Sequence, residues 1–283
     1  MAILILGAQG NLGAQLVSVF GSEAIAWDRE DLDITDRDKV LEKISGLKPE
    51  VIINATAYNA VDKCESDPAE LDLAKKLNGA AVGYLAEAAL VTGAILIHYS
   101  TDYVFNGEAD GYREEAIPNP INNYGRTKLL GEQELSKKSV QGLKYYLIRT
   151  SKLFGPKGPA AVSKPSFFDL MLGLSKDREE LKAVDEELSC FTYTADLASA
   201  TKDLLEKGYP YGIYHIVNSH PATWYEAVSS LFAIAGINVK LVAVKGVDFP
   251  RPAQRPKCSV LINTKFPPLR DYQVALREYL KLN

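Results

Sequence analysis

Two groups of residues carry the chemistry in this chain. Tyr124 stands four residues before Lys128, and on a helix positions i and i+4 share a face. A phenol and an ammonium so placed can flank one reacting group. With 15 tyrosines, about one Tyr-x-x-x-Lys match is expected by chance, and Tyr124 to Lys128 is the only one present. Its position gives it weight. It opens a helical segment that follows an apolar run ending in the hydroxyl cluster Ser100-Thr101-Asp102-Tyr103. At an effective dielectric of about 20, an ammonium roughly 5 Å away would lower a phenol by about two pK units, toward working range. Thr101 would then donate to a substrate carbonyl, Tyr124 would protonate it, and Lys128 would tune Tyr124 and hold a cofactor ribose. Asp102 would either touch substrate or cap a turn.

Such a triad needs a hydride source and a rigid sheet edge, and the amino-terminal pattern suits both. Ala2 to Leu6 is a continuous apolar run, as in a strand covered on both faces, and it leads into Gly7-Ala8-Gln9-Gly10-Asn11-Leu12-Gly13. Ala14, Leu16, Val17 and Phe20 follow at helical spacing. Strand, glycine turn and helix in that order can bring backbone amides to a pyrophosphate, although the spacing is looser than the dinucleotide fingerprint. A second short strand, Ala24 to Trp27, ends in Asp28, placed to accept from a ribose 2′-hydroxyl. Arg29 would instead pair with a 2′-phosphate, so NADH and NADPH both remain open. Asp33 and Ile34 are placed to flank an adenine, and the run Asp31 to Asp36 contains an N-cap for a helix over 37–47, with Asp31 and Asp36 reading equally as solvated acids of a capping segment. A third strand over 51–53 opens into Asn54-Ala55-Thr56-Ala57-Tyr58-Asn59, whose small residues leave room for a ligand.

A long helix is expected next, with Leu71, Leu73, Ala74, Leu77, Ala81, Leu85 and Ala88 as its apolar stripe. Its Asn78 reads either as ordinary surface polarity or as a functional hydrogen bond. A fourth strand over 94–99, a helix from about 123 and a fifth strand over 145–150 complete the alternation. The fold class is therefore α/β, a doubly wound parallel (Rossmann) sheet with a smaller carboxyl-terminal substrate-binding region. The expected division is 1–152 and 153–283, with segments near 190–217 returning to the first unit. Residues 155–166 read as a Gly/Pro-rich surface loop, 167–174 and 194–207 as helices, and 212–217 as a strand rejoining the sheet.

The bulk properties narrow the partners. A net charge of −4, from 32 basic and 36 acidic residues over 283, gives no reason to expect nucleic acid or an anionic membrane. The six apolar residues at the start are too few for a signal peptide or a membrane span. Cys64, Cys190 and Cys258 are far apart, which suggests neither a disulfide framework nor a thiolate metal site and fits reduced thiols in a cytoplasmic protein. No metal is expected. His98, within an apolar strand, reads as a core histidine.

Taken together, Gly7-x-x-Gly10-x-x-Gly13, the run Asn54 to Lys63, Ser100 to Phe105, Tyr124-Gly125-x-x-Lys128, Arg149-Thr150-Ser151 and Arg255-Pro256-x-x-Ser259 resemble the extended short-chain dehydrogenase/reductases over nearly the whole chain. The resemblance implies NADPH- or NADH-dependent reduction of the 4-keto group of a nucleotide-diphospho-deoxyhexose, dTDP-4-dehydro-L-rhamnose to dTDP-L-rhamnose. It implies a catalytic triad of Thr101, Tyr124 and Lys128. Gly7, Gly10, Asn11, Leu12, Gly13, Asp28, Arg29, Asp33, Ile34, Ala55, Ala57, Tyr58 and Asn59 would join Tyr124 and Lys128 at the cofactor. Val61, Thr101, Asp102, Tyr103, Lys152 and Arg255 would meet the nucleotide-sugar substrate, and a homodimer is compatible with the pattern. Three departures fall in the substrate region. Lys152 replaces a tryptophan usual in the family and turns an aromatic wall into a flexible cation, the loop from Pro159 to Pro165 is longer than usual, and Ser189-Cys190-Phe191-Thr192 replaces Gly-Ser-Pro-Thr. The same fold also serves in a non-enzymatic cofactor-binding regulatory subunit, similar to that of methionine adenosyltransferase, and in epimerases and dehydratases that retain NAD.

Overall fold

In a computed structural model, which describes residues 1–161 and 163–282, the alternation resolves into one parallel sheet. Its amino-terminal half runs β1 (Ile3–Leu6), α1 (Asn11–Phe20), β2 (Ala24–Trp27), α2 (Arg37–Leu47) and β3 (Val51–Asn54). It continues through α3 (Val61–Ser66), α4 (Pro68–Lys75), α5 (Ala81–Thr92), β4 (Ile95–Thr101), α6 (Asn123–Ser139) and β5 (Tyr145–Thr150). The chain then leaves through β6 (Leu153–Phe154), α7 (Phe167–Leu174), β7 (Glu180–Val184) and β8 (Thr192–Tyr193). It returns by α8 (Thr194–Glu206) to β9 (Gly212–His215) and ends in β10 (Asn218–Ser219), α9 (Trp224–Ala235), β11 (Lys240–Val244), β12 (Leu269–Asp271) and α10 (Tyr272–Leu282).

The six-stranded sheet has the order β2-β1-β3-β4-β5-β9, and every pairing in it is parallel. Alternation along each strand explains why both faces are covered. Ile3, Ile5, Ile53, Ile97 and Ile148 enter one core with α1 and α8, while Leu4, Leu6, Ile52, Leu96 and Leu147 enter another with α2 and α5. Strand order reverses between β1 and β3, so the crevice outside their carboxyl ends is the natural ligand site. Beyond this sheet, β7 pairs with β11, and α7, α9 and α10 pack around an aromatic core that includes Phe154, Phe168, Phe191 and Tyr272.

The segment expected as one long helix is instead α4 and α5 joined by a widened turn, Lys76–Ala80. Leu73, assigned to its buried stripe, is 40% exposed because the extra residue in that turn shifts the two helices out of one register. Ser100 and Thr101 are the last residues of β4, two positions beyond the expected strand end. The expected loop over 155–166 includes Val162, which lies outside the described residues. His98 is a buried core histidine whose Nδ1 meets Asn54 Nδ2 at 3.1 Å.

Gly13 shows how the first crossover closes. A Cβ there would sit 2.0 Å from the Gly7 carbonyl oxygen, so only glycine lets α1 return against its own turn.

A second constraint seats α6. Its Glu132 lies against β5, where Arg149 donates through Nη2 at 2.7 Å and Nε at 3.1 Å. Ser100 Oγ on β4 donates to the same carboxylate at 2.5 Å. The pair is almost fully buried, with side chains 2% and 5% exposed. Glu132→Ala leaves a guanidinium without its counter-charge and should cost about 3–5 kcal/mol. Urea denaturation should show that loss, and Glu132→Leu combined with Arg149→Met should recover most of it.

Candidate active site

Tyr124, Lys128 and Glu132 recur every four residues along one face of α6, so the anchored carboxylate sets the rotation that presents the other two. The helix starts on Asn122, whose Oδ1 accepts from the Gly125 amide at 2.8 Å. Gly125 is required by close approach, since a Cβ there would lie 2.1 Å from the Tyr103 carbonyl oxygen. That contact draws the Tyr124 turn onto the segment following β4, where the two rings meet edge to face with centroids 6.0 Å apart.

Lys128 is buried, and its Nζ donates to the Tyr99 carbonyl at 2.6 Å. Burial lowers its ammonium to about 8, opposed by the Glu132 carboxylate. The expectation that this ammonium pulls the Tyr124 phenol down is corrected. The phenol moves up, first through burial and then through the Asp102 carboxylate, while a hydrogen bond with Thr101 acts against the rise. Spacing alone does not contain the burial of the phenol, and desolvation outweighs a charge that is bonded to a backbone carbonyl.

A cleft of about 890 Å³ runs along the sheet's carboxyl edge. Of the expected cofactor residues, Gly7, Gly10, Asn11, Leu12, Asp28, Arg29, Asp33, Ile34, Ala55, Ala57, Tyr58 and Asn59 line it. Thr101, Tyr124, Lys128 and Lys152 line the same cleft. Gly13 does not, because it faces the turn behind it. Asp28 Oδ2 accepts from the Gln9 amide at 2.9 Å and Oδ1 from the Arg29 amide at 2.8 Å, tying the second strand's end to the glycine turn. Asp33 accepts from the amide and hydroxyl of Thr35.

Other expected contacts lie behind the cleft wall. Asp102 is 2% exposed and accepts from Ser259 Oγ at 2.6 Å and Thr101 Oγ1 at 3.1 Å. The Ser of the Arg-Pro-x-x-Ser segment thus serves Asp102. Arg255 makes a two-pronged pair with Asp62, 2.8 Å at each oxygen, which straps the late proline-rich loop to α3. Val61 and Tyr103 also stand outside the cleft lining. Lys152 is not a flexible cation. Its Nζ lies 3.7 Å from the Trp224 ring centroid and 4.8 Å from that of Phe191, two rings outside the cleft lining that fix the ammonium.

Asn78, open in the sequence between surface polarity and a hydrogen-bonding role, is buried and hydrogen-bonded, and two further features, Glu132 and the loop after β6, carry no expectation from the sequence. Asn78, on the widened turn, accepts from the Tyr58 amide and donates to the Tyr58 carbonyl and Thr127 Oγ1, joining the loop after β3 to α6. Glu132 was legible as the next step of the Tyr124–Lys128 stripe. The loop after β6 lies on the glycine turn rather than apart from it: Asn11 Oδ1 accepts from the Gly158 amide and Asn11 Nδ2 donates to the Lys164 carbonyl, both at 3.0 Å. No local pattern announces that contact.

A glycine turn capped by Asp28 at one end of a cleft, with a hydroxyl, a phenol and a lysine at the other, is the layout of a dinucleotide-binding protein of the short-chain dehydrogenase/reductase type. More narrowly, the chain belongs to the family described as the RmlD substrate binding domain, which matches residues 1–282. It is 38% identical to a dTDP-4-dehydrorhamnose reductase from Aggregatibacter actinomycetemcomitans, covering 93% of this chain and 91% of that one. A solved dTDP-4-dehydrorhamnose reductase from Clostridium acetobutylicum is 37% identical, with a TM-score of 0.91 and coverage of 100% of this chain and 99% of that chain. One from Bacillus anthracis, solved in complex with NADP, is 32% identical, with a TM-score of 0.92 and full coverage of both.

Burial of Lys128 has a testable sign. Its folded value of about 8 lies below the ordinary 10.5, so between those values the unfolded chain binds more protons and stability rises with pH. Below about 8 the full cost of burying the charge is present. Lys128→Met should reduce that rise in urea melts across the window, leaving the share that buried Lys152 contributes.

Proposed function

We propose that this chain is an NAD(P)H-dependent reductase that converts the 4-keto group of a nucleotide-diphospho-deoxyhexose to an alcohol, taking dTDP-4-dehydro-L-rhamnose to dTDP-L-rhamnose. The observation that carries this is the single cleft running from the glycine turn and Asp28 to Thr101 and Tyr124. Membership in the RmlD family and likeness to reductases of that name support the substrate. In this reading 1–152, with the returning segments near 190–217, hold the cofactor and the remainder holds the sugar.

The residues present suit a dinucleotide. Gly7 and Gly10 leave backbone at the cleft floor, Ala55 and Ala57 keep the crevice beside them open, and Asp28 sits where a ribose would need an acceptor. NAD(P)H supplies hydride when bound. Asn11 and Leu12, at the first turn of α1, favour phosphate there, while Asp33 and Ile34 flank the adenine. Arg29 is the residue for a 2′-phosphate. Tyr58 and Asn59 border the ribose and nicotinamide, and the Lys128 ammonium anchors the ribose.

At the reacting carbonyl, Thr101 donates a hydrogen bond to the oxygen and Tyr124 gives it a proton as the carbon is reduced. A phenol held high by burial keeps its proton until negative charge develops on the acceptor, which suits an acid. Without substrate the Thr101 hydroxyl donates to Asp102, which Ser259 holds, and it turns from Asp102 to the carbonyl when substrate binds. Val61, Tyr103 and Arg255 shape the sugar side from behind, through α3 and the strap to Asp62.

Nicotinamide absorbance should fall when the protein meets NADPH and dTDP-4-dehydro-L-rhamnose. Tyr124→Phe should lower kcat about 10²- to 10⁴-fold while NADPH affinity holds. A wild-type protein that binds NADPH yet turns over no nucleotide 4-ketosugar would sink this reading.

A further inference from the structure

Lys152 is placed unlike any other lysine of the described chain. It stands two residues beyond the end of β5, takes a left-handed backbone conformation at φ 37°, and lines the cleft beside Thr101, Tyr124, Thr150 and Ser151. Its stem is fixed where the ammonium rests on Trp224 and Phe191. Among the described residues the one hydrogen-bond acceptor of Nζ is the Glu187 carbonyl, at a long 3.3 Å.

The nearby carboxylates are committed elsewhere. Glu187 accepts from Trp224 Nε1 at 2.9 Å and is paired with Arg251. Asp102 is taken by Ser259 and Thr101. Among the described residues Lys152 therefore has no ion pair, although an ammonium carries three donors. One donor, the Lys152 ammonium, thus has capacity left for an acceptor oxygen.

We propose that Lys152 determines specificity at this site by donating, through its ammonium, to an acceptor oxygen of the nucleotide sugar, either on the ring or on the sugar-bearing phosphate. The inference rests on the reductase reading and adds to it the chemistry that the substrate must present. An apolar substituent at this wall would leave the ammonium unsatisfied, whereas an oxygen completes its shell.

The groups around Lys152 give the interaction a pH dependence. Burial lowers its ammonium to about 7, against the Asp102, Glu187 and Cys190 side chains, which favour the charged form, and with Arg251, which disfavours it. The donor charge is therefore present below about 7 and lost as pH rises through it, so affinity for an oxygen-rich ligand falls in that direction.

Calorimetry with dTDP-glucose, a nucleotide sugar without the reactive ketone, tests this on the NADPH-loaded protein. Lys152→Met should bind it about tenfold or more weakly than wild type near pH 6. Wild type should lose a similar factor between about pH 6 and pH 9, and the variant should not. Affinity for NADPH should be shared by both proteins, which checks the variant's fold. Titration with dTDP locates the oxygen: a matching loss puts it on the phosphate, and a loss confined to dTDP-glucose puts it on the sugar. Equal affinities near pH 6 overturn the proposal, as does a variant that keeps the wild-type pH dependence. Should the variant misfold, a flat wild-type profile overturns it alone. Ketosugar turnover is scored separately, so a protein that reduces nothing but binds dTDP-glucose through Lys152 loses the reductase reading and keeps this one.

Discussion

The buried pair between Glu132 and Arg149 holds the three parts of the site in register. It joins α6 to β5, takes in Ser100 at the end of β4, and reaches the loop after β4 where Arg149 donates to the Glu114 carbonyl at 3.3 Å. Glu114 in turn accepts from the Thr264 amide and hydroxyl and from the His215 amide. A buried pair of this kind is costly to desolvate, and what it provides is one orientation for a helix that otherwise slides. Because Tyr124 and Lys128 lie on the same stripe as Glu132, their positions depend on that orientation.

Around this anchor, the ionisable groups are governed more by burial than by one another. Tyr124 is raised, Lys128 is lowered to about 8 and Lys152 to about 7, each with burial as the largest cause. His98 is likewise driven well below its ordinary value by burial and by Lys128. A spacing argument that sums charges in a uniform medium misses this, because the dielectric is set by packing that the spacing does not contain. The phenol is consequently a firm proton holder, and the two lysines are amines close to the edge of ionisation.

Much of the fold was legible because its determinants are local. Apolar runs ending in small residues mark β1, β3 and β4, the cap of α2 falls within the expected run as Asp36 accepting from the Lys39 amide, and the start of α6 and the whole of β5 fall where the pattern puts them. The α4–α5 segment was misread because a widened turn keeps helical periodicity on both sides while shifting its phase. Leu73 therefore comes to the cleft rim, and Asn78 turns inward to hold Tyr58. The substrate side was least legible. Asp62 and Arg255 are 193 positions apart, and Asp102 and Ser259 are 157 apart, so no window of sequence contains either pair.

By itself the sequence determined the doubly wound sheet, the glycine turn and the stripe that carries Tyr124 and Lys128, since each follows from residue type and spacing within one element or one turn. Tertiary structure decided what those residues experience. It set the rotation of α6 through Arg149, buried the phenol against the expected direction of its shift, and placed the loop after β6 over Asn11. It also set Lys152 on the faces of Trp224 and Phe191, with the neighbouring carboxylates already paired. These are consequences of side chains far apart in the chain competing for the same few acceptors in a space closed to water, and only the folded packing states which of them wins.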